Sequence, residues 1–392
     1  MDSPPPATAE VYHSEQEYLD ALDARGALPA GFRLATTQTQ FIPAELPADE
    51  ARPQDIRLSL ILLDQPSDAV AAVTTRNLVV GAPVEIVREA IATRRPVQGV
   101  VINNRVANVA APEGRATAEA VRGAGAAAAD IAPELLLAAS TGGIGWSLPA
   151  AELCGAAPAL VSRLGTTTGV DGARAIMTTD AYPKLRSART AAGHRVVGVA
   201  KGAGMIEPNM ATLLAFLLTD VKIEQGLLQE ILTGAVEKSF NRITIDGDMS
   251  TNDTVLLLAN GTSGKLISEK TPRALEDFQE TVRLACMDLA EKIVADGERI
   301  TKVVRVEIEG APDDAAAEKV GRNIGNSLLV KSSWYGGDPN WGRIIDSLGY
   351  SPAKVVEEKV DIAYSAPGAK KLTYSLKKGC LLYTSPSPRD RG

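Results

Sequence analysis

Histidine is nearly missing from this 392-residue chain, which holds only His13 and His194. A histidine-centred nucleophilic triad or a histidine metal cluster is therefore short of parts. Cysteine is as thin: Cys154, Cys286 and Cys380 are too few and too scattered for a disulfide framework or a zinc site. Aromatic residues make up 4% of the chain, so packing must lean on Ala, Val, Leu and Ile. There is no run of about 18 apolar residues to span a membrane. The start, MDSPPPATAEVYHSEQEYLD, has neither the apolar core of a secretory signal nor an Arg-rich amphipathic stretch. These absences make the cytoplasm the expected location. A formal net charge of −7 argues against nucleic-acid or anionic-lipid partners. What remains is ordinary for a globular α/β protein of one large or two smaller domains: 45% hydrophobic and 23% charged residues.

Residues 1–50 are polar and Pro-rich and read as an N-terminal arm with one short helix near Glu15–Arg25. From Arg57 onward strands and helices alternate. RLSLILLD (57–64) and VAAVTTR (70–76) read as paired strands, APVEIVREAIAT as an amphipathic helix, and VQGVVINN as a buried strand. EGRATAEAVRGAGAAAAD is an Ala-rich helix leading into the strand ELLLAAST. A helix is expected near Leu148–Leu164, and RVVGVAK is a strand running into a glycine loop. In the second half, ATLLAFLLTD and TVLLLANG are apolar runs of strand length, and EQGLLQEILTGAVEKSF has helical spacing. The clearest helix is Thr271–Ala295, opened by a Thr-Pro cap and striped by Leu275, Phe278, Val282, Ala285, Leu289 and Ile293. VVRVEIEG (303–310) alternates like a strand, and PDDAAAEKVGRNIG is a further helix. From Cys380 the Ser/Pro-rich tail breaks this grammar. Residues 380–392 are expected to be foreign, with the true C-terminus missing.

The chemistry concentrates in KGAGMIEPNMATLLAFLLTD (201–220). A strand delivers Lys201, Gly202 and Gly204 permit a tight exposed path, and Ala211-Thr212 opens a buried strand. A small residue followed by threonine at a loop-to-strand junction suits self-cleavage. The hydroxyl attacks the preceding carbonyl, an ester forms, and water frees a new N-terminal threonine. Its α-amine, with a pKa of roughly 7.7–8.0, is a general base within the same residue as the hydroxyl it deprotonates. That arrangement needs no histidine. Taken alone, however, a threonine opening a core strand after a glycine turn is commonplace. GAGMIE lacks the third glycine of a dinucleotide fingerprint.

Several segments, in order, narrow the choice: AASTGGIG (138–145), AIMTTDAYPK (175–184), KGAGMIEPNMAT (201–212), SFNRITIDGDMSTNDTVLLLANG (239–261), VADGERITK (294–302), NSLLVKSSWYGGDPNWGRI (326–344) and LGYS. Together they resemble the ornithine acetyltransferase (bifunctional glutamate N-acetyltransferase) family, densely from about 134 to 351 and more faintly over 57–133. The resemblance implies a two-part α/β fold with sheets layered between helices. It also implies autocatalytic cleavage between Ala211 and Thr212, giving an α chain that ends at 211 and a β chain that starts at 212. The two chains would stay associated as a heterotetramer or larger.

By the same resemblance Thr212 is the nucleophile, Thr141 and Gly142 form the oxyanion hole, and Thr179, Lys201 and Glu298 bind substrate. N-acetylornithine would acetylate Thr212, and glutamate would then accept the acetyl group, with no cofactor and no metal. Acetyl-CoA stays open as a second donor. Asp246, Asp248 and Asp253 lack the calcium-loop spacing and read as loop and cap acids bracing the site. DPNWGR (338–343) reads as a turn into a helix that packs Trp341. Arg299-Ile300 stand where the family usually reads Gly-Ala, and an Arg299 directed into the pocket would neutralise Glu298. The substrate-contacting Asn and Thr/Ser near the family's C-terminus are expected to be lost with the missing terminus. A paralogue with another acceptor, an amide hydrolase and an inactive member therefore remain alternatives.

Overall fold

The computed structural model describes residues 11–207, 213–366, 368–369 and 371–382. The chain divides into two units, Gln16–Glu298 and Arg299–Gly392 with Met1–Glu15. In the larger unit the first half runs α1 (Glu15–Arg25), β1 (Phe32–Phe41), β2 (Gln54–Ser67), β3 (Val70–Thr74), α2 (Ala82–Ala92), β4 (Val97–Asn103), α3 (Gly114–Ala128) and β5 (Leu136–Ser140). It continues through α4 (Ala150–Val161), α5 (Gly169–Ala175), β6 (Lys184–Arg189), β7 (Arg195–Lys201), β8 (Leu214–Thr219) and β9 (Lys222–Ile223). The last elements are α6 (Gln225–Glu237), β10 (Thr254–Ala259), β11 (Leu266–Ile267) and α7 (Pro272–Val294).

Two mixed sheets form the frame, one in the order β1-β2-β4-β5 and the other β3-β10-β8-β7-β6. The apolar runs read from the sequence are buried on both faces, and the pleat explains why. In β2, Ile61 and Leu63 point into a core shared with Leu214, Phe216 and Leu218 of β8, while Leu58, Leu60 and Leu62 point away to Leu153 and Leu160 of α4. On the outer face of the second sheet, Ala215 and Leu217 of β8 pack with Leu228 and Leu232 of α6 and Phe278, Val282 and Leu289 of α7. The unit is thus layered helix, sheet, sheet, helix, an α/β architecture. Full burial of side chains such as Phe216 contributes about 1.5–3 kcal/mol each.

Four local expectations need correction. β2 and β3 do not pair: β2 lies between β1 and β4, whereas β3 pairs antiparallel with β10 in the other sheet. With both edges of β2 already filled, the chain crosses between sheets instead of turning back. The N-terminal arm contains, besides its helix, the ten-residue strand β1. The Thr271 hydroxyl does not cap α7; it donates to the Ser268 carbonyl and accepts from the Ser268 N–H, both at 2.9 Å. VVRVEIEG is not a strand. Val306 and Ile308 pack against Val320, Ile324 and Val330, but among the described residues no neighbouring strand pairs with this backbone.

The smaller unit holds α8 (Asp314–Asn326), α9 (Leu328–Tyr335) and α10 (Trp341–Gly349), then β12 (Ile362–Tyr364), β13 (Thr373–Lys377) and β14 (Cys380–Leu381). The Asn340 side chain caps α10 by accepting the Arg343 N–H, so DPNWGR turns into a helix opened by Trp341. Cys380 and Leu381, the start of the segment read as foreign, pair with Lys377 and Leu376 of β13. Residues 383–392 lie outside the described residues. Among the described residues no helix is long and apolar enough to cross a membrane.

Candidate active site

The two sheets each end in a residue singled out by the sequence. Thr141 follows β5 directly and Lys201 is the last residue of β7; both are buried, and the Lys201 Nζ donates to Thr141 Oγ1 at 3.3 Å. Beyond Thr141 the chain turns sharply at Gly142, with φ +136°, and a Cβ there would lie 2.0 Å from the Arg105 carbonyl carbon. Only glycine fits. The turn leaves the Gly142 N–H without an acceptor among the described residues, while Gly143 on its far side is held by its N–H to the Arg105 carbonyl at 2.9 Å. Buried amides fix the turn from below. Ser140 Oγ donates to Asn103 Oδ1 at 2.6 Å, and Asn252 Nδ2 donates to the Ala107 and Ser140 carbonyls at 2.6 and 3.1 Å. A backbone N–H on an exposed glycine turn, with no acceptor among the described residues, is the kind of donor that can meet developing negative charge.

Behind Lys201 lies a buried charge cluster that the sequence reading missed. Asp180 Oδ1 accepts from Lys184 Nζ at 2.8 Å and from the Gly202 N–H at 2.7 Å, its Oδ2 accepts from the Thr178 N–H at 3.0 Å, and Lys201 Nζ is 3.9 Å from Oδ2. Lys184, wholly buried, also reaches Asp296 Oδ2 at 2.5 Å and lies 4.8 Å above the Tyr182 ring. Asp296 in turn accepts the Ala181 N–H. Burial would raise the Asp180 carboxyl, but Lys201 and Lys184 outweigh it and hold it below the usual carboxylate range. Burial lowers the Lys201 ammonium below its ordinary value; Asp180 and Asp253 oppose that and Lys184 adds to it. The one visible trace in the sequence is the Asp that closes MTTD. Lys184 and Asp296 fall within AIMTTDAYPK and VADGERITK, but nothing in either segment marks them as partners.

The remaining predicted residues fall around the turn after β7. Thr179 is exposed and immediately precedes Asp180. Glu298 is exposed, and its Oε1 would lie 3.3 Å from a Cβ built on Gly204, so its carboxylate rests against that glycine. Asp246 braces the same turn by accepting the Met205 and Ile206 N–H groups at 2.6 and 2.8 Å. Ala211 and Thr212 lie outside the described residues. On their C-terminal side, Asp253 Oδ1 accepts the Leu213 N–H at 2.8 Å. Burial pushes this carboxyl well above its usual range, against the Leu213 N–H and Lys201. Arg299 takes the left-handed backbone, φ +54°, that glycine prefers. Thr141, Gly142 and Lys201 therefore meet at one place, with Glu298 against the adjoining turn.

The ArgJ family model matches residues 48–379. The arginine biosynthesis bifunctional protein ArgJ of Nitratidesulfovibrio vulgaris is 44% identical over 343 residues, covering 85% of this chain and 83% of that protein. Its counterpart in Geobacter sulfurreducens is 40% identical over 317 residues, covering 80% of each. A solved structure, the ornithine acetyltransferase from Mycobacterium tuberculosis complexed with ornithine, shares 32% identity with a TM-score of 0.40 and covers 49% of this chain and 97% of its own.

Proposed function

From the premise that this chain belongs to the ArgJ family, the acetyltransferases of arginine biosynthesis, we propose a specific route for its acetyl transfer. The chain cleaves itself between Ala211 and Thr212, and the freed threonine carries the acetyl group from N-acetylornithine to glutamate. In the first half-reaction Thr212 Oγ attacks the acetyl carbonyl while its own α-amine takes the hydroxyl proton. The carbonyl oxygen becomes negative and is met by the Gly142 N–H and Thr141. Ornithine leaves with the returned proton. Glutamate then attacks the acetyl-threonine ester by the reverse path, and N-acetylglutamate departs.

The observation that carries this reading is the Lys201–Thr141 contact beside the Gly142 N–H, which has no acceptor among the described residues, at the start of the turn leading to the cleavage segment. In this reading the Lys201 ammonium holds a substrate carboxylate, and Thr179 and Glu298 take the ornithine and glutamate polar groups. Residues 1–211 and the piece from 212 onward remain together as a heterotetramer or larger assembly, working in the cytoplasm. Intact mass of the purified protein tests the proposal. Two fragments with a new N-terminal Thr212 and acetyl transfer from N-acetylornithine to glutamate are expected, and Thr212→Ala should stay whole and inactive. Cleavage of that variant, or acetate release with no acetylglutamate formed, would overturn it.

A further inference from the structure

Lys201 is an isolated puzzle if it only binds substrate, because its ammonium is fully buried and burial alone favours the neutral amine. The charged groups that face it are Asp180, Lys184 and Asp253, and its one hydrogen bond among the described residues goes to Thr141. Of the two carboxylates, Asp180 is the one fixed by its surroundings. It accepts from the backbone on either side of the site, the Thr178 N–H next to Thr179 and the Gly202 N–H next to Lys201. Lys184 clamps it from behind, and Lys184 is itself held by Asp296, which accepts the Ala181 N–H. The segments carrying Thr179, Lys201 and, two residues beyond Asp296, Glu298 therefore converge on one set of buried charges.

We propose that Asp180 is a positioning residue for acetyl transfer: anchored by Lys184 and Asp296, it keeps the Lys201 ammonium in place against Thr141 for a substrate carboxylate. Lys184 is a counter-ion to Asp180 and not a substrate contact. The physical logic is that Asp180 is shared. Its carboxylate satisfies Lys184 strongly at 2.8 Å and leaves Lys201 a longer, weaker attraction at 3.9 Å, so the Lys201 ammonium keeps donor capacity for an incoming anion. A direct, short pair with Lys201 would have spent that capacity.

This inference rests on the acetyl-transfer reading above, and the experiment separates the two. The pH dependence of kcat/KM for glutamate is measured in the cleaved enzyme and in Asp180→Asn. The substitution keeps the side-chain shape and leaves Lys184 paired with Asp296. An alkaline limb from loss of the Lys201 proton is expected in the wild type, and in Asp180→Asn it should move to lower pH by about 1–3 units. The loss at alkaline pH should appear in KM for glutamate with kcat less affected, and Lys201→Arg should remove the limb. A part that was only structural would lower activity at every pH without moving the limb, and that result overturns the proposal. Should Asp180→Asn not fold, 13Cε-lysine NMR of the wild type decides, with the Lys201 signal assigned by its absence in Lys201→Arg. The signal must report an ammonium at neutral pH; a neutral amine there overturns the proposal. A wild type that transfers no acetyl group refutes the functional reading instead.

Discussion

The two sheets of the larger unit meet at the site with opposite equipment. The first ends in neutral backbone: a turn at Gly142 so crowded by Arg105 that no side chain fits, braced by Asn103 and Asn252. The second ends in buried charge: Lys201 with Asp180, Lys184 and Asp296 behind it. Neutral donors suit a charge that appears and vanishes during reaction, since they cost little to leave unpaired at an exposed turn. Permanent charges suit a substrate that arrives already ionised, but they must be balanced within the protein.

The sharpest way to break the first half of this contrast is Gly142→Ala. Its Cβ would collide with the Arg105 backbone, so the donor is displaced; kcat should fall by about 10²–10³-fold or more in a steady-state assay. On the charged side, Lys184→Met removes the short ion-pair partner of both buried carboxylates, leaving Asp180 only the longer Lys201 contact at 3.9 Å. Urea unfolding should show a loss of about 3–5 kcal/mol. Asn252→Ala strips the Ala107 and Ser140 carbonyls of their donor under the neutral turn, a smaller cost of about 1–3 kcal/mol by the same measurement.

Asp253 sharpens the comparison through pH. Its folded pKa is raised, so its protonated form favours the fold at acid pH, and that contribution is lost as pH rises through the folded value. Asp253→Asn should therefore match the wild type near its ordinary carboxylate pKa and become the more stable of the two at alkaline pH. Thermal melts across that window check the sign. Least of all, Arg299→Gly should relieve the left-handed backbone at φ +54° and change stability by about 1 kcal/mol at most, because glycine also gains freedom in the unfolded chain.

The turn after β5 and the position of Lys201 were legible from sequence, and the buried partners behind Lys201 were not, for a physical reason. AASTGGIG announces a strand running into a turn, and β5 and Gly142 follow it residue by residue. Lys184 and Asp296 are ordinary residue types far apart along the chain, and only folding brings them within 2.5 Å. The same split marks the fold. Runs buried on both faces, such as those of β2, β8 and β10, declare themselves by composition. In the two large sheets the strands left unread, β1 and β6, lie at edges, where FRLATTQTQF and KLRSAR keep polar residues along the exposed side. Conversely, VVRVEIEG has the right alternation, yet alternation records only which side chains are covered and cannot supply a neighbouring backbone.

Leu213 is tied down twice, its N–H to the Asp253 carboxylate at 2.8 Å and its carbonyl to the Thr254 N–H at 3.1 Å. A rope moored just past a cut would keep its free end at the quay. Were the chain severed upstream, as proposed above, β8 would still be led into its sheet by Leu213, which these two bonds fasten to residues 253 and 254 at the start of β10.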